Sequence, residues 1–189
     1  MKRSFTSHSL EQTQSLGEHL GQHIRLYFSQ QDNCPNDSIV LALSGELGAG
    51  KTTLTQGIAR GLGLTEPVTS PTFMLVREYE LPPANSQYPL TFFHIDAYRL
   101  SDNPEVDAAT FGLEEILETP CSIIVVEWAE RIQTSFPVDR LEVQLAYLQL
   151  SAHDDSGLDD LFLSGARQLT IRAWGPVSEH LCHNLPIQL

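Results

Sequence analysis

The chain has 189 residues, of which 41% are hydrophobic, enough for one globular domain that buries roughly 70% of its unfolded surface. Its 24 acidic residues outnumber its 11 lysines and arginines, and the formal net charge of -13 argues against direct binding to nucleic acid, whose phosphates such a surface repels. No apolar run approaches the ~20 residues of a membrane span, and the polar N-terminus lacks the apolar run of a secretory signal, so we expect one cytoplasmic domain over residues 1–189.

The cysteines and histidines do not follow the spacing of a metal site. The cysteines stand at three distant positions, Cys34, Cys121 and Cys182. This odd number fits neither a disulfide framework nor paired zinc ligands, so we predict reduced thiols. Two histidine pairs could each share one face of a helix, namely His19 with His23 and His180 with His183. Neither pair has acidic or thiol partners at standard ligand spacing, so we predict no transition-metal site.

The first part of the chain alternates a long helix, a buried strand and a second helix. Ser9 has the side chain of an N-cap, and apolar residues then recur at three- and four-residue steps, which predicts an amphipathic helix over residues 10–30. Residues 38–44 (SIVLALS) form a short apolar run rich in β-formers, typical of a strand buried on both faces. A glycine-rich turn follows, and the spacing over residues 52–62 predicts the second helix.

The rest of the chain is dominated by predicted strands. Its elements are expected to be, in order, strands at 72–80 and 90–96, one or two short helices at 103–118, a strand at 122–128, a helical segment at 129–135, and strands at 138–150 and 167–174. The first two strands are expected to pair as a hairpin across a surface loop at 81–89. An acidic loop at about 151–165 and a C-terminal tail at about 176–189 complete the domain. This order indicates a three-layer α/β sandwich with a mostly parallel central sheet and antiparallel hairpin strands.

A phosphate-binding motif, the P-loop, fills the turn between the first predicted strand and the second helix. The pattern G-x-x-x-x-G-K-[ST] is satisfied by Gly45, Glu46, Leu47, Gly48, Ala49, Gly50, Lys51 and Thr52. Small residues let backbone N–H groups approach a polyphosphate, and the helix points the positive end of its dipole at the anion. Lys51 is expected to reach the β- and γ-phosphates, and Thr52 to place its hydroxyl on Mg²⁺. The motif predicts that the chain binds ATP with magnesium in a P-loop NTPase-like fold.

Two acidic residues end apolar strands at the edge where open α/β sheets bind ligands. Asp96 ends the run at 91–96 and Glu127 ends the run at 123–127. Hydrolysis of a bound nucleotide needs carboxylates at such strand ends. Either residue could coordinate Mg²⁺ or orient the attacking water.

The segment that follows the P-loop helix occupies the usual position of a switch that senses the γ-phosphate. It consists of Thr69, Ser70, Pro71 and Thr72. Pro71 also fits an ordinary turn into a strand. Beside the two acids, His94 is expected to pack or to hydrogen-bond, and Trp128 to be a core residue or an exposed contact residue.

Four ordered segments resemble those of a known family. They are GELGAGKTT at 45–53, TSPTF at 69–73, HIDAYRL at 94–100 and VEWAER at 126–131. In this order they resemble TsaE, the YjeE-type family of bacterial P-loop ATPases, over most of the chain. The resemblance implies a weak Mg-dependent ATPase that supports the threonylcarbamoyladenosine modification of tRNA with the partner proteins TsaD and TsaB, of which TsaD carries out the transfer. Contact with tRNA is then indirect, which agrees with the acidic surface.

The resemblance also implies roles for residues at matching positions. Thr52 and Glu127 match the magnesium positions of the family, Asp96 its second acid, and Lys51 its phosphate lysine. These assignments make Lys51, Asp96 and Glu127 the expected catalytic residues, with Asp96 a further metal ligand.

Nucleotide contacts are implied beyond the motif itself. They include Thr53 in the P-loop helix, Leu10 and Thr13 in the opening helix, and Arg167 near the end of the chain. Residues 69–72 match the switch-like segment of the family, and Trp128 is a candidate contact for a partner protein.

Two other functional classes share parts of this pattern. A P-loop kinase of a small metabolite would have the same loop and acids, but it usually has an arginine-bearing lid, and no arginine-rich segment is apparent. A GTP-dependent switch would need the guanine-reading N-K-x-D pattern, which is absent from the sequence. The kinase remains the alternative to the accessory ATPase.

Overall fold

A mixed β-sheet forms the centre of the computed structural model, which describes residues 1–35, 38–82, 88–101, 103–148 and 166–185. In chain order its strands are β1 (Lys2–Ser7), β2 (Ile39–Gly45), β3 (Val76–Glu80), β4 (Thr91–Asp96), β5 (Ser122–Glu127), β6 (Arg140–Tyr147) and β7 (Arg167–Trp174). Within the described residues they form one seven-stranded sheet in the order β1-β7-β6-β2-β5-β4-β3. The helices of the same residues are α1 (Leu10–Ser29), α2 (Lys51–Gly61), α3 (Pro104–Thr110), α4 (Leu113–Leu117) and α5 (Pro176–His183), with short 3-10 turns at Ala129–Arg131 and Gln133–Ser135.

The four central strands, β6, β2, β5 and β4, run parallel. β7 and β1 extend one edge by antiparallel pairing, and β3 pairs antiparallel with β4 at the other edge. This confirms the predicted parallel centre with an antiparallel hairpin. Because the carboxyl ends of parallel strands meet at one edge of a sheet, Gly45, Asp96 and Glu127 all lie at that edge.

Helices cover both faces of the sheet. Leu41 and Val125 point to the face that carries α1, α2 and α5, and they share one buried cluster with those helices. Their neighbours Val40 and Ile124 point to the opposite face and join a second cluster with residues of α3 and α4. Such strands are apolar on both sides, which is why they read as continuous hydrophobic runs. The predicted three-layer α/β sandwich is confirmed.

Helices α1 and α2 approach each other through four glycines. A Cβ on Gly17 would lie 2.4 Å from a backbone oxygen of α2, and a Cβ on Gly57 would lie 2.1 Å from a backbone oxygen of α1. Gly21 and Gly61 repeat this relationship one turn further along, at 2.2 Å and 2.1 Å. No side chain fits between the two backbones at these points. The contact therefore fixes α1 against the helix that follows the P-loop.

Most predicted element boundaries agree with the structure to within a few residues. Ser9 caps α1, because its Oγ accepts a hydrogen bond of 3.2 Å from the Gln12 backbone N–H. Gly112, with a φ of 76°, separates α3 from α4 inside the segment predicted to hold one or two helices. The predicted helical segment at 129–135 consists of the two 3-10 turns.

The strand predicted over residues 72–80 is wrong in its first four positions, since β3 begins only at Val76. The Pro71 carbonyl accepts hydrogen bonds from Met74 N at 2.8 Å and Leu75 N at 2.7 Å, and Leu75 has a positive φ of 64°. These contacts close a turn that leaves Phe73 83% exposed. A turn here, rather than a strand, carries the side chain of Thr72 into the site described below.

Two elements were not predicted. β1 is an edge strand whose buried residues are only Phe5 and Ser7, which is too short an alternation to be recognised in the sequence. The predicted tail forms α5 over its described part, where Leu181 and Cys182 are buried against the sheet and α1. The predicted acidic loop at 151–165 lies outside the described residues, as does 83–87 of the predicted surface loop.

The prediction of three reduced cysteines is wrong for two of them. The structure joins Cys34 to Cys121 in a disulfide, with their Cα atoms 5.5 Å apart, and leaves Cys182 as a buried free thiol. The pair is 87 residues apart in the chain, and it meets because the segment after α1 ends beside the start of β5. Spacing in the sequence could not reveal this contact.

The structure contains neither a spanning helix nor a metal cluster in its described part. No described helix combines the length and apolar character needed to cross a bilayer. Within the described ranges, no group of three or more histidine, cysteine or acidic residues could hold a metal ion. The two histidine pairs lie on α1 and α5 without such a set.

Candidate nucleotide-binding site

The phosphate-binding motif forms a tight turn between β2 and α2. Gly45 has a φ of 138°, and a Cβ on it would lie 2.2 Å from the Leu145 carbonyl oxygen of β6. Gly50 has a φ of 103° and is the N-cap of α2, where no described side chain caps the helix. The first N–H groups of α2 are therefore left to an anion, and the positive end of the helix dipole lies at the same place.

Lys51 lies folded against the turn. Its Nζ donates hydrogen bonds to the carbonyl oxygens of Gly45 at 2.6 Å and Glu46 at 2.9 Å. It also lies 3.6 Å from the centre of the Trp128 ring, so one face of the ammonium rests on an aromatic surface. The residue is only 5% exposed. A buried positive charge thus stands beside the N-terminus of α2.

The charge of Lys51 is controlled by its surroundings. Burial lowers the pKa of the Lys51 ammonium below its ordinary value, because the charged form is partly removed from water. The negative charges of Glu127, Glu130 and Asp96 raise it and so oppose the effect of burial. In this less hydrated position the ammonium attracts an anion more strongly than it would in bulk water.

The two strand-ending acids are neighbours. Asp96 and Glu127 are paired in register at the ends of β4 and β5, and both are almost fully buried, at 3% and 2% exposure. Thr52, the second residue of α2, donates a hydrogen bond of 2.7 Å from its Oγ1 to Glu127 Oε2. The motif hydroxyl and a strand-end carboxylate, predicted from separate segments, therefore meet. Such oxygens are the ligands that Mg²⁺ prefers.

Glu127 also binds two side chains that were not predicted to act at the site. His94 Nε2 lies 2.8 Å from Glu127 Oε1, and Thr55 Oγ1 donates to the same oxygen at 3.3 Å. Both residues are fully buried. Thr55 stands one helical turn after Lys51, and His94 shares its strand face with Asp96. Both spacings can be seen in the sequence. They point to Glu127 only once the pairing of β4 with β5 is known.

The predicted switch segment is tied to the second acid. Ser70 Oγ and Thr72 Oγ1 both donate to Asp96 Oδ2, the latter at 2.6 Å. The other carboxylate oxygen, Oδ1, accepts a hydrogen bond of 3.0 Å from Tyr98 N. Thr69 Oγ1 accepts one of 3.0 Å from Arg77. A carboxylate in the site and residues 69–72 are thus mechanically linked.

Two residues assigned from distant parts of the chain reach the motif. A Cβ on Gly50 would lie 3.3 Å from Arg167 Nε and 3.7 Å from Thr13 Cγ2. Arg167 is 8% exposed, and its buried Nε has no hydrogen-bond partner among the described residues. Leu10 lies at the first residue of α1 and is 52% exposed, three residues before Thr13. The structure thus gathers Thr13 and Arg167 beside the P-loop and leaves Leu10 at the outer end of the helix.

The remaining motif residues differ in how far they are exposed to solvent. Ala49 is fully buried, whereas Leu47 is 73% exposed at the tip of the turn. A Cβ on Gly48 would lie 2.8 Å from the Tyr147 hydroxyl, so the end of β6 closes over the turn. Tyr147 was not predicted as part of the site, because nothing in the sequence indicates how β6 lies against β2.

The sequence profile described as "Threonylcarbamoyl adenosine biosynthesis protein TsaE" matches residues 7–154. The chain belongs to the TsaE family. The matched range includes the P-loop, both acids and residues 69–72, so the resemblance of the four ordered segments is confirmed.

Individual TsaE relatives match the chain at similar levels. The protein of Bacillus subtilis named tRNA threonylcarbamoyladenosine biosynthesis protein TsaE is 37% identical over 146 residues, which cover 77% of each chain. Proteins of the same name from Nostoc and Streptomyces coelicolor are 40% identical over 111 residues and 43% identical over 106 residues. Those alignments cover 57% of this chain and 62% of the Nostoc protein, and 56% of this chain and 67% of the Streptomyces protein.

The fold of the chain is also found in a solved structure. The crystal structure of YdiB from Bacillus subtilis superimposes with a TM-score of 0.65 at 28% sequence identity, covering 98% of this chain and 94% of YdiB. This agrees with the predicted P-loop NTPase-like fold. Arg167 lies beyond the range matched by the TsaE profile, so its place in the site rests on its position against Gly50.

Proposed function

We propose that this chain binds ATP with Mg²⁺, hydrolyses it slowly, and supports threonylcarbamoyladenosine modification of tRNA as an accessory ATPase. The main support for the proposal is the geometry at the N-terminus of α2, where Lys51 lies against the phosphate-binding turn and Thr52 donates a hydrogen bond to Glu127. The chain also belongs to the TsaE family. The names of the curated relatives supply the pathway.

The residues at the turn fit a triphosphate. Backbone N–H groups at the start of α2 have no side-chain cap among the described residues, and glycines at both ends of the loop keep the approach clear. Lys51 supplies a positive charge. Its ammonium can exchange its hydrogen bonds to the Gly45 and Glu46 carbonyl oxygens for hydrogen bonds to a phosphate. Arg167 has a buried Nε–H with no described partner, and a phosphate or ribose oxygen would satisfy it. Thr13 and the exposed Leu10 are the proposed contacts on the α1 side.

The donor set also fits a magnesium ion. Thr52 Oγ1, Glu127 and Asp96 would hold it directly or through water, since all three supply oxygen ligands and Mg²⁺ retains several waters. When bound, the ion neutralises phosphate charge and fixes the geometry of the phosphates. Glu127 and Asp96 are the two carboxylates that could orient the attacking water.

The switch segment offers a route by which the nucleotide state could reach the surface. Ser70 and Thr72 share one oxygen of Asp96, so a change at that carboxylate moves the turn that carries the exposed Phe73 and Met74. A weak ATPase of this kind acts through other proteins. We propose TsaD and TsaB as these proteins, with Trp128 as a contact residue and TsaD as the enzyme that performs the transfer.

The net charge of -13 supports an indirect role in tRNA modification. A strongly acidic chain is repelled by the tRNA backbone, and a partner with a basic surface would make that contact instead. We place the activity in the cytoplasm, where the modification of tRNA would require it.

The test is to measure ATP hydrolysis by the purified chain alone, with TsaD, and with TsaD and TsaB together. We expect slow, Mg-dependent release of phosphate that the partners accelerate, and no acceleration with Lys51→Ala. Hydrolysis indifferent to the partners would contradict the accessory role. Transfer of phosphate to a small metabolite would establish the kinase alternative.

A further inference from the structure

His94 makes an unusual contact for a residue in the middle of a buried strand. The His94 ring is 0% exposed and lies roughly parallel to the ring of Phe92, with their centres 6.5 Å apart. Its Nε2 lies 2.8 Å from Glu127 Oε1. An apolar side chain would fill this layer without the cost of removing a polar ring from water. The hydrogen bond to Glu127 is what offsets that cost.

The direction of this hydrogen bond follows from the acceptor. An ionised carboxylate can only accept, so Nε2 carries the proton. The other ring nitrogen, Nδ1, is buried and has no hydrogen-bond partner among the described residues. The described hydrogen-bonding capacity of His94 is therefore directed at Glu127 alone.

The two oxygens of Glu127 have different partners. Oε1 accepts from His94 and, at 3.3 Å, from Thr55, whereas Oε2 accepts only the Thr52 hydroxyl among the described residues. A carboxylate anchored through one oxygen cannot rotate freely about its terminal bond. Its second oxygen is then held toward the Thr52 side.

We propose that His94 is a positioning residue that fixes Glu127 Oε1 so that Oε2 faces the metal beside Thr52. The proposal rests on the proposed function, because it concerns how the same site holds magnesium. Hydrogen bonds to a metal-binding carboxylate orient the ligand, and losing one typically lowers metal affinity or activity by about 10- to 100-fold. Thr55 assists from α2 with a longer bond, so His94 has the larger effect.

The test compares two amide substitutions of matched polarity. The side-chain nitrogen of glutamine can reach the position of Nε2, whereas that of asparagine reaches only the position of Nδ1, on the side away from Glu127. We therefore expect His94→Gln to keep the contact and His94→Asn to lose it. His94→Leu removes all donors and serves as the apolar reference.

The readout is binding of Mn²⁺, used in place of Mg²⁺, to the protein loaded with a non-hydrolysable ATP analogue. The free ion is followed by electron paramagnetic resonance, and analogue affinity is measured separately without metal. We expect the Mn²⁺ dissociation constant to rise about tenfold or more for His94→Asn and His94→Leu, and to stay within about threefold of wild type for His94→Gln. Metal-free affinity for the analogue should stay close to wild type in all variants, since none of them touches the phosphate turn.

Melting temperatures of the unliganded variants separate this role from simple packing. If the Mn²⁺ affinities of the variants follow their melting temperatures, and not whether the substituted side chain can still contact Glu127, His94 has only a structural role and the proposal is overturned. Equal Mn²⁺ affinity in wild type and His94→Asn overturns it as well, while leaving the proposed function intact. Failure of the wild-type protein to bind the metal with the analogue would instead overturn the magnesium site itself, and this inference with it.

Discussion

Thr52 Oγ1 donates a hydrogen bond of 2.7 Å to Glu127 Oε2, joining the first turn of α2 to the last residue of β5. The two groups come from segments 75 residues apart in the chain, one in the phosphate-binding motif and the other at the end of an apolar strand. Their contact means that the fold brings the oxygens of the proposed metal site together.

Replacing Thr52 should remove the magnesium-dependent part of nucleotide affinity. Thr52→Ala deletes the hydroxyl, so we expect the gain in affinity that Mg²⁺ gives the wild type to disappear, while binding without metal changes little. Thr52→Ser keeps the oxygen and is the matched control. Calorimetric titrations with a non-hydrolysable ATP analogue, with and without Mg²⁺, make the comparison. A full magnesium effect in Thr52→Ala would contradict the ligand assignment.

Glu127→Gln should abolish hydrolysis with little loss of stability. Glutamine keeps the shape of the side chain but not its charge. Glu127→Ala should be destabilised further, because the alanine leaves the buried His94 ring without its acceptor, at about 1–3 kcal/mol for a buried group left unpaired. Thr55 keeps its hydrogen bond of 3.0 Å to the Lys51 carbonyl oxygen. Phosphate release and thermal melting measure the two effects. Near-normal hydrolysis by Glu127→Gln would show that the carboxylate is not required.

Trp128 should report on nucleotide binding through Lys51. The Lys51 ammonium lies 3.6 Å from the centre of the Trp128 ring, and a phosphate that recruits Lys51 changes the charge beside the indole. The chain has two tryptophans, so the measurement uses a Trp174→Phe background in which Trp128 is the only one. We expect its fluorescence to change on addition of the ATP analogue and not on addition of adenosine. The same fluorescence change in a Lys51→Ala variant would show that it does not arise from movement of the Lys51 charge.

Arg167→Met should weaken binding of the ATP analogue by about tenfold or more, as expected for loss of a hydrogen bond between charged groups worth roughly 1.5–3 kcal/mol. The methionine keeps much of the volume beside Gly50 and removes the guanidinium. Arg172→Met, on an exposed position of the same strand, is the control and should bind as wild type does. Equal affinity in the two variants would remove Arg167 from the site.

Gly57→Ala should destabilise the protein, although alanine normally favours a helix over glycine by about 1 kcal/mol. The added Cβ would lie 2.1 Å from the Gln14 carbonyl oxygen, so α1 would have to move away from α2. We expect a clearly lower melting temperature and, because Thr13 moves with α1, weaker binding of the nucleotide. Arg60→Ala, exposed on the same helix, should melt close to wild type. A raised melting temperature for Gly57→Ala would contradict the close approach of the helices.

The sequence predicted those parts of the fold whose signals are local. β2, the P-loop and α2 follow from an apolar run, a glycine-rich motif and helical spacing, and all three depend on neighbours within a few residues. Asp96 and Glu127 could be recognised for the same reason, since each directly ends an apolar strand.

What the sequence could not predict depends on which strands become neighbours. The contact of His94 with Glu127 requires β4 to lie beside β5 in register, and the approach of Tyr147 to Gly48 requires β6 to lie beside β2. β1 has too few buried residues for its pattern to differ from that of a polar terminus. The expected strand at 72–75 was wrong because the hydrogen bonds of the Pro71 carbonyl outweigh the β-propensity of the residues that follow.

A crystal structure of the protein with magnesium and a non-hydrolysable ATP analogue would show whether the P-loop holds the nucleotide. We expect the β- and γ-phosphates to lie against the backbone N–H groups of residues 48–52, with Lys51 Nζ turned from its carbonyl partners toward them and the ion beside Thr52. An analogue bound elsewhere on the molecule, with Lys51 still hydrogen-bonded to Gly45 and Glu46, would contradict it.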